Sequence, residues 1–343
     1  MRFLDQIALA PYTTFGIGGP ARYFAEAASE SDIREGVEFA RSRGLPLFVL
    51  GGGSNLLVSD EGFPGLVLRI ALKGVERQGD VFRVAAGEDW DEFVTTVVAD
   101  RYAGVECLAG IPGTVGGTPV QNVGAYGQEV AETIVAVRAI DLRTLEPREL
   151  APRECGFEYR RSIFNSTERG RYIVTCVDYA LRKNGAPRLS YADLKKHFSG
   201  RAESALTEVA TAVRNIRKAK GMLIVEGDPD CRSAGSFFKN PVVTAAHYQR
   251  IADGAGVVPS YPAGEGRQKI PAAWLVEQAG FHKGYFLGRA GISSRHALAL
   301  INRGEATAAD VIALRDRIAE AVEQKFGIRL EPEPVFLGPQ SGI

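Results

Sequence analysis

The sequence is poor in cysteine, histidine, net charge and long apolar runs. Four cysteines in 343 residues (Cys107, Cys155, Cys176, Cys231) are too few for a disulfide scaffold and too far apart for a C-x-x-C metal or redox site. They suit a reducing cytoplasm. With 41 basic and 41 acidic side chains the formal net charge is zero, without the basic excess of a nucleic-acid binder. The four histidines stand in no nucleophile-elbow context, and structural or surface roles are expected of them. Near the N-terminus the only apolar run is Ile7–Ala10, after Asp5, far short of a signal-peptide core. There is no Walker GK[ST].

Charge is also missing from one long stretch, Cys107–Gln128. At 22 residues it is long enough to span a bilayer, but it holds six glycines, Pro112, Pro119, Gln121 and Asn122. Those residues would leave polar groups unsatisfied in lipid, so a long uncharged loop lining a site is expected rather than a membrane helix. Glycine is what the chain has in excess: 39 residues, about 11% against a usual ~7%. Such an excess implies many sharp turns and close backbone approaches.

The remaining composition, 45% hydrophobic and 24% charged, is that of an ordinary cored protein, and the length suggests two or three domains. Apolar spacing predicts a helix over Ser31–Arg43, closed by Gly44, then a buried strand, Leu47–Leu50. Further strands are expected at Leu56–Val58, Leu66–Ile70, Val81–Ala85, Ile134–Leu142 and Tyr172–Leu181, with a helix over Asp89–Asp100. Beyond a composition shift near Leu181 a helix is expected over Glu203–Arg217, its apolar face Leu206, Val209, Val213 and Ile216. A last helix opens with the capping-box pattern Thr307-x-x-Asp310, buries Val311, Leu314, Ile318 and Val322, and ends at Gly327. This mixture fits an α+β protein.

The zero charge conceals an asymmetry. Residues 1–170 carry 17 basic and 24 acidic groups; residues 171–343 carry 24 and 17. Most of the basic excess lies in Arg182–Lys220, where ten Lys/Arg face only Asp193, Glu203 and Glu208. A solvated helix face would account for that run, as would a landing surface for anions.

Two glycine clusters carry the strongest local signal. Gly51-Gly52-Gly53-Ser54-Asn55 follows a strand but leads into another strand-like run, so it is no Rossmann fingerprint, which needs a helix to hold the pyrophosphate. It reads either as a tight hairpin or as a nest of backbone amides for phosphate. The second cluster runs from Gly110 to Gly127. Two uncharged glycine loops suit a large cofactor held mainly by backbone.

Five blocks in order carry a resemblance: LGGGSNLL (Leu50–Leu57), AGIPGTVGGTPVQNVGAYG (Ala109–Gly127), YRRSIF (Tyr159–Phe164), AGSFFKNP (Ala234–Pro241) and LEPE (Leu330–Glu333). Over almost the whole chain, Thr13–Gly338, the sequence resembles the UDP-N-acetylenolpyruvoylglucosamine reductases, the MurB flavoenzymes, and Tyr191 resembles the mobile tyrosine of their type I branch. The resemblance implies the FAD-binding fold of the vanillyl-alcohol-oxidase/PCMH type, in two α+β subdomains, plus a third α+β domain for the substrate. The expected divisions are 1–70, then 71–218 with 331–343 returning to it, and 219–330.

It further implies FAD as cofactor and NADPH as co-substrate, with hydride passing from flavin N5 to the enolpyruvyl group of a UDP-sugar in peptidoglycan precursor synthesis. Expected FAD contacts are Leu50, Gly51, Gly52, Gly53, Ser54, Asn55 and Leu56 in the first loop. In the second they are Ile111, Pro112, Gly113, Gly116, Gly117, Gln121, Asn122, Gly124, Ala125, Tyr126 and Gly127. Arg160 and Glu333 would stabilise the enolate-like intermediate and Ser236 would give the proton. Tyr191, Arg217, Lys220, Asn240, Tyr261, Lys269 and Lys283 would bind the nucleotide sugar, which gives part of the basic segment a use. The chain departs from the type I pattern at Pro334, after the glutamate, and at Gly221-Met222-Leu223-Ile224, after the lysine. The expectation is a monomeric, cytoplasmic enzyme with no nucleic-acid or membrane partner and no metal. A flavin oxidase on the same fold and a non-catalytic binding protein are the alternatives, and neither has reason to keep Arg160, Ser236 and Glu333 together.

Overall fold

The computed structural model describes residues 1–201 and 203–341. The N-terminal part is a four-stranded sheet in the order Leu4–Ala8, Pro20–Ala27, Phe63–Ile70, Leu47–Leu50. The first pair is antiparallel and the other two pairings are parallel. Helix α1 (Glu30–Ser42) makes the crossover between parallel strands. The Ser29 hydroxyl and the Asp32 carboxylate close a capping box at its start. Its Ile33, Val37 and Ala40 are buried, as the spacing predicted. The strands at Leu4–Ala8 and Pro20–Ala27 were not foreseen; the first is mostly exposed and has no buried face to write an alternation.

The second sheet is antiparallel, in the order Glu146–Leu150, Ile134–Asp141, Tyr172–Ala180, Val81–Ala85, Val75–Gln78. Helix α2 (Trp90–Ala99), capped by Asp89, lies where the periodicity placed it. The short α3 (Ala192–His197) and the longer α4 (Leu206–Ala219) follow in the basic segment. Leu206, Val209 and Val213 of α4 join one continuous apolar core with Ile33, Val37 and Leu68 below the first sheet and Val84, Trp90 and Val177 of the second. The two N-terminal sheets are therefore packed through a shared interior. The uncharged stretch Cys107–Gln128 forms 3₁₀ turns and loops over this core, and no helix among the described residues is long and apolar enough to cross a membrane.

The remainder has its own core. Two three-stranded antiparallel sheets (Val242–Thr244, Arg267–Lys269 and Tyr261–Pro262; Phe286–Leu287, Ala290–Ile292 and Leu300–Asn302) pack with α5 (Ala245–Ala255), α6 (Ala272–Gln278) and α7 (Ala308–Phe326). The α7 signals hold: Thr307 and Asp310 form the capping box, the four stripe residues are buried, and Gly327 adopts φ 63°. Phe15, Ile17 and Leu57 from the N-terminal part insert into this second core.

One expectation is corrected. The C-terminal segment was expected to return to 71–218, but Val335–Leu337 pairs in parallel with Leu56–Val58, inside the first expected division. The glycine loop leaves Leu56–Val58 without a continuous neighbour in the first sheet, and the last strand supplies one. Residues 342–343 of that segment lie outside the described residues.

Candidate active site

The site begins with glycine packing. A Cβ on Gly52 would stand 2.5 Å from Gly113 Cα, one on Gly51 2.9 Å from Thr114 Oγ1, and one on Gly53 1.8 Å from the Tyr12 carbonyl. The two glycine loops thus meet backbone to backbone, a closeness that a side chain would prevent. A Cβ on Gly117, by contrast, would project into open space on the cleft. Among the described residues the amides of Gly52, Gly53, Ser54 and Asn55 have no backbone acceptor, so four successive N–H groups are free for an anion. Of the two sequence readings, the amide nest is the one this geometry favours.

Between the loops opens a cleft of about 460 Å³. Leu50–Leu56, Ile111–Gly113, Gly117, Gln121 and Gly124–Tyr126 line it, together with Arg160, Tyr191, Arg217, Lys220, Ser236 and Glu333. Three expected cofactor contacts lie outside that lining. Gly116 closes on Ala86, Gly127 faces Ser190, and the Asn122 amide is spent on Glu129, on the Glu158 carbonyl and on the Ala131 N–H.

Three distant segments bring the expected catalytic residues together. Residues 237–239 run antiparallel to 331–333, with Glu333 N–H donating to Phe237 O (2.8 Å) and Lys239 N–H to Glu331 O (3.0 Å). This sets Phe237 against Glu333 and brings Ser236 and Glu333 to one cleft, although 97 positions separate them in the sequence. Arg160 comes from the third segment. Its Nε lies 3.0 Å from Glu333 Oε1, as an ion pair whose N–H is not aligned for a hydrogen bond. The Arg160 backbone holds φ 55°, sparsely populated for a residue with a side chain, and the Asn165 amide grips its carbonyl. Ser162 docks the same turn on the uncharged loop through Val120 O.

Glu333 is mostly buried, its side chain 12% exposed. Burial raises its carboxyl above the usual range, opposed by Arg160 and Lys239. A polar chain connects it to the glycine loop. Gln121 Nε2 donates to Glu333 Oε1 (3.4 Å), and Asn55 Nδ2 donates to Gln121 Oε1 (2.6 Å) and to Glu333 O (3.2 Å). Asn55 and Gln121, expected to hold the cofactor, are thus hydrogen-bonded to Glu333, expected to do chemistry.

The opposite wall is cationic. Lys220, the C-cap of α4, pairs with Asp193 at 2.8 Å and lies near the ring of Tyr126, which stands edge-on to Tyr191 at 5.3 Å. Burial works against the Lys220 charge, but Asp193 prevails and its pKa is raised. Arg217 is a strut: its guanidinium donates to Gly110 O (2.9 Å) and Met222 O (2.6 Å), bracing both sides of the cleft. The other expected substrate residues, Asn240, Tyr261, Lys269 and Lys283, lie outside the lining. Lys269 lies over the Tyr159 ring at 4.6 Å and pairs across strands with Tyr261, while Asn240 Oδ1 accepts from Ala272 N–H and caps α6. Tyr159 entered the sequence reading only as the first residue of the YRRSIF block, and its contact with Lys269 has no trace in local sequence.

His296 also lines the cleft, which the sequence reading missed. Burial, then Lys220 and Lys283, push its pKa down to about 4. Nothing in the local pattern SSRHALAL marks it, because neighbours distant in sequence create its setting.

The chain is similar to known proteins over its whole length. A family model of the UDP-N-acetylenolpyruvoylglucosamine reductase C-terminal domain matches residues 228–337, and one of an FAD binding domain matches residues 21–144. The reductase of Thermobifida fusca is 46% identical, covering 98% of each chain. That of Streptomyces coelicolor is 45% identical over 98% of this chain and 90% of its own. The crystal structure of the Thermus caldophilus enzyme superposes with a TM-score of 0.69 at 28% identity, over 98% of this chain and 99% of the other. The fold is α+β, with the FAD-binding architecture expected of the N-terminal half. Whole-length identity and the two domain matches together place this chain in the UDP-N-acetylenolpyruvoylglucosamine reductase family.

Proposed function

We propose that the protein is an NADPH-dependent UDP-N-acetylmuramate dehydrogenase, reducing the enolpyruvyl ether of UDP-N-acetylglucosamine with FAD as relay. The observation that carries this reading is the junction of the Arg160–Glu333 pair with the glycine cradle through Gln121 and Asn55, with Ser236 lining the same cleft. The cradle fits FAD: close-packed glycines, free amides for a diphosphate, and open space beside Gly117. Leu50–Leu56, Ile111–Gly113, Gly117, Gln121 and Gly124–Tyr126 would hold it. When bound, FAD supplies to the substrate the hydride that NADPH provides.

The chain's own task is to bind the substrate and manage charge and a proton. Adding hydride to one carbon of an enol ether leaves negative charge on the neighbouring carbon and the attached carboxylate. Arg160, whose planar fork matches a carboxylate, is braced by Glu333 and strained into place. Ser236 gives its hydroxyl proton to the carbanionic carbon; so weak an acid suffices because the acceptor is strongly basic. Glu333, beside Arg160 and in a low-dielectric setting, steadies that guanidinium and the developing charge. Lys220, Tyr191, Arg217 and the outer group Asn240, Tyr261, Lys269 and Lys283 receive the nucleotide sugar. We also assign the enzyme to the cytoplasm, the site of a nucleotide-activated substrate.

The test is turnover by purified, FAD-loaded protein. A yellow preparation is expected to oxidise NADPH rapidly only when the enolpyruvyl sugar nucleotide is present. A colourless protein, or NADPH consumption unaffected by that substrate, would refute the reading.

A further inference from the structure

His296 lies on the turn between Ala290–Ile292 and Leu300–Asn302, half-buried, with its open side on the cleft. Its Nδ1 accepts a hydrogen bond from the Leu298 N–H at 3.0 Å. A nitrogen that accepts must carry its lone pair, so the imidazole proton resides on Nε2. Among the described residues Nε2 has no protein partner. The turn is rigidly seated. Arg295, the preceding residue, makes ion pairs with Asp228 (2.5 Å) and Asp230 (3.0 Å), and its Nη1 donates to the Lys218 carbonyl at 3.0 Å. Hence the His296 turn and the end of α4 that carries Lys220 are held as one body. The Leu298 carbonyl, two residues on, accepts from the Phe237 amide, adjacent to Ser236.

Burial first, then neighbouring charge, sets the state of the ring. Lys220, Lys283 and Arg217 all bear on His296 and oppose a further positive charge, and the Leu298 N–H would collide with a proton on Nδ1. The ring stays neutral at physiological pH. A cleft already lined by Arg160, Arg217 and Lys220 gains little from a fourth cation, whereas a fixed neutral N–H adds direction without added repulsion.

We propose that His296 is a substrate-binding residue whose neutral Nε2–H donates to an oxygen of the nucleotide's diphosphate. The proposal rests on the reading of this cleft as a UDP-sugar site. Within that site it assigns a role to a residue type for which the sequence indicated none.

The experiment is calorimetric titration of the FAD-loaded protein with UDP-N-acetylglucosamine, in the unaltered chain and in H296Q, H296F and H296A. Flavin absorbance and a thermal melt verify folding of each. A hydrogen bond to a charged oxygen corresponds to about a tenfold to hundredfold in affinity, the loss expected in H296F and H296A. H296Q, whose side-chain amide can place a neutral N–H there, is expected to remain within about threefold. Unaltered affinity in both H296F and H296A would overturn the proposal. So would an H296Q loss equal to theirs, because the position would then require only the ring's shape. If the unaltered protein fails to bind the nucleotide sugar at all, the reading of the cleft itself is overturned.

Discussion

Arg160 concentrates what the site demands of a single residue. Its left-handed backbone costs on the order of 1–3 kcal/mol, held by Asn165 and Glu333. R160G should therefore leave thermal stability level or raised while nearly eliminating sugar reduction. R160K, which keeps the charge but not the fork, should lower the rate about a hundredfold, read by stopped-flow of reduced enzyme mixed with substrate. S236A separates the half-reactions: flavin reduction by NADPH should persist, while reduction of the sugar falls by about 10²–10⁴. Equal impairment of both halves would refute the proton-donor role. His296 makes a pH prediction. Its pKa is lowered to about 4 from an ordinary 6.5, so the unfolded chain binds the extra proton first as pH falls. The stabilisation is intact above pH 6.5 and is lost progressively down to pH 4. That loss is at most about 3 kcal/mol, less because the ring is partly open to cleft water. H296Q should flatten the decline in Tm across that window, and an unchanged decline would contradict the assignment.

At the scale of elements, the glycine loop is the most exacting. G52A would drive a methyl into Gly113 Cα, backbone that cannot step aside. The expected result is a protein that folds but retains FAD at least about tenfold more weakly, measured by flavin release on dilution. The helices were legible because their signals are local. Thr307 with Asp310 is a capping box written in four residues and the α7 stripe repeats at helical spacing, whereas the Ser29–Asp32 box of α1 was passed over and its start set at Ser31. T307A should cost about 1 kcal/mol, seen as a lower Tm. Asp60 also accepts from the Ala308 and Ala309 amides and partly compensates. The short strands at Tyr261–Pro262, Phe286–Leu287 and Leu300–Asn302 escaped notice because two or three residues show no period.

In the whole molecule, the site exists only where three regions meet. Thr14 Oγ1 donates to Ser233 O and Asn302 Nδ2 to Phe15 O, both crossing from one end of the chain to the other, while Arg295, which clasps Asp228 and Asp230, also donates to the Lys218 carbonyl at the end of α4. Hydrogen bonds from Arg295 hold the Asp228 carboxyl below its usual range; burial works against Asp230, but Ser294 and Arg295 still lower it. R295K keeps the charge and loses the fork. It should raise KM for the nucleotide sugar several-fold with FAD retained, because the clasp seats Lys220 and His296 rather than the cofactor cradle. Loss of FAD to the same degree would place the clasp elsewhere in the mechanism.

The sequence alone determined the α+β class, the long helices, the two glycine loops and, through its motif blocks, the family and the expected catalytic three. These features are local: a cap, a stripe or a run of residues carries its own physical signal wherever the chain later goes. Tertiary structure decided what depends on distant neighbours. It placed the last strand beside Leu56–Val58, set Glu333 against Arg160, turned Arg217 into a strut, and took Asn122 out of the cleft. It also lowered the pKa of His296, through burial and then through the charges of Lys220, Lys283 and Arg217. Those effects act through space across low-dielectric protein, and linear sequence does not encode distance.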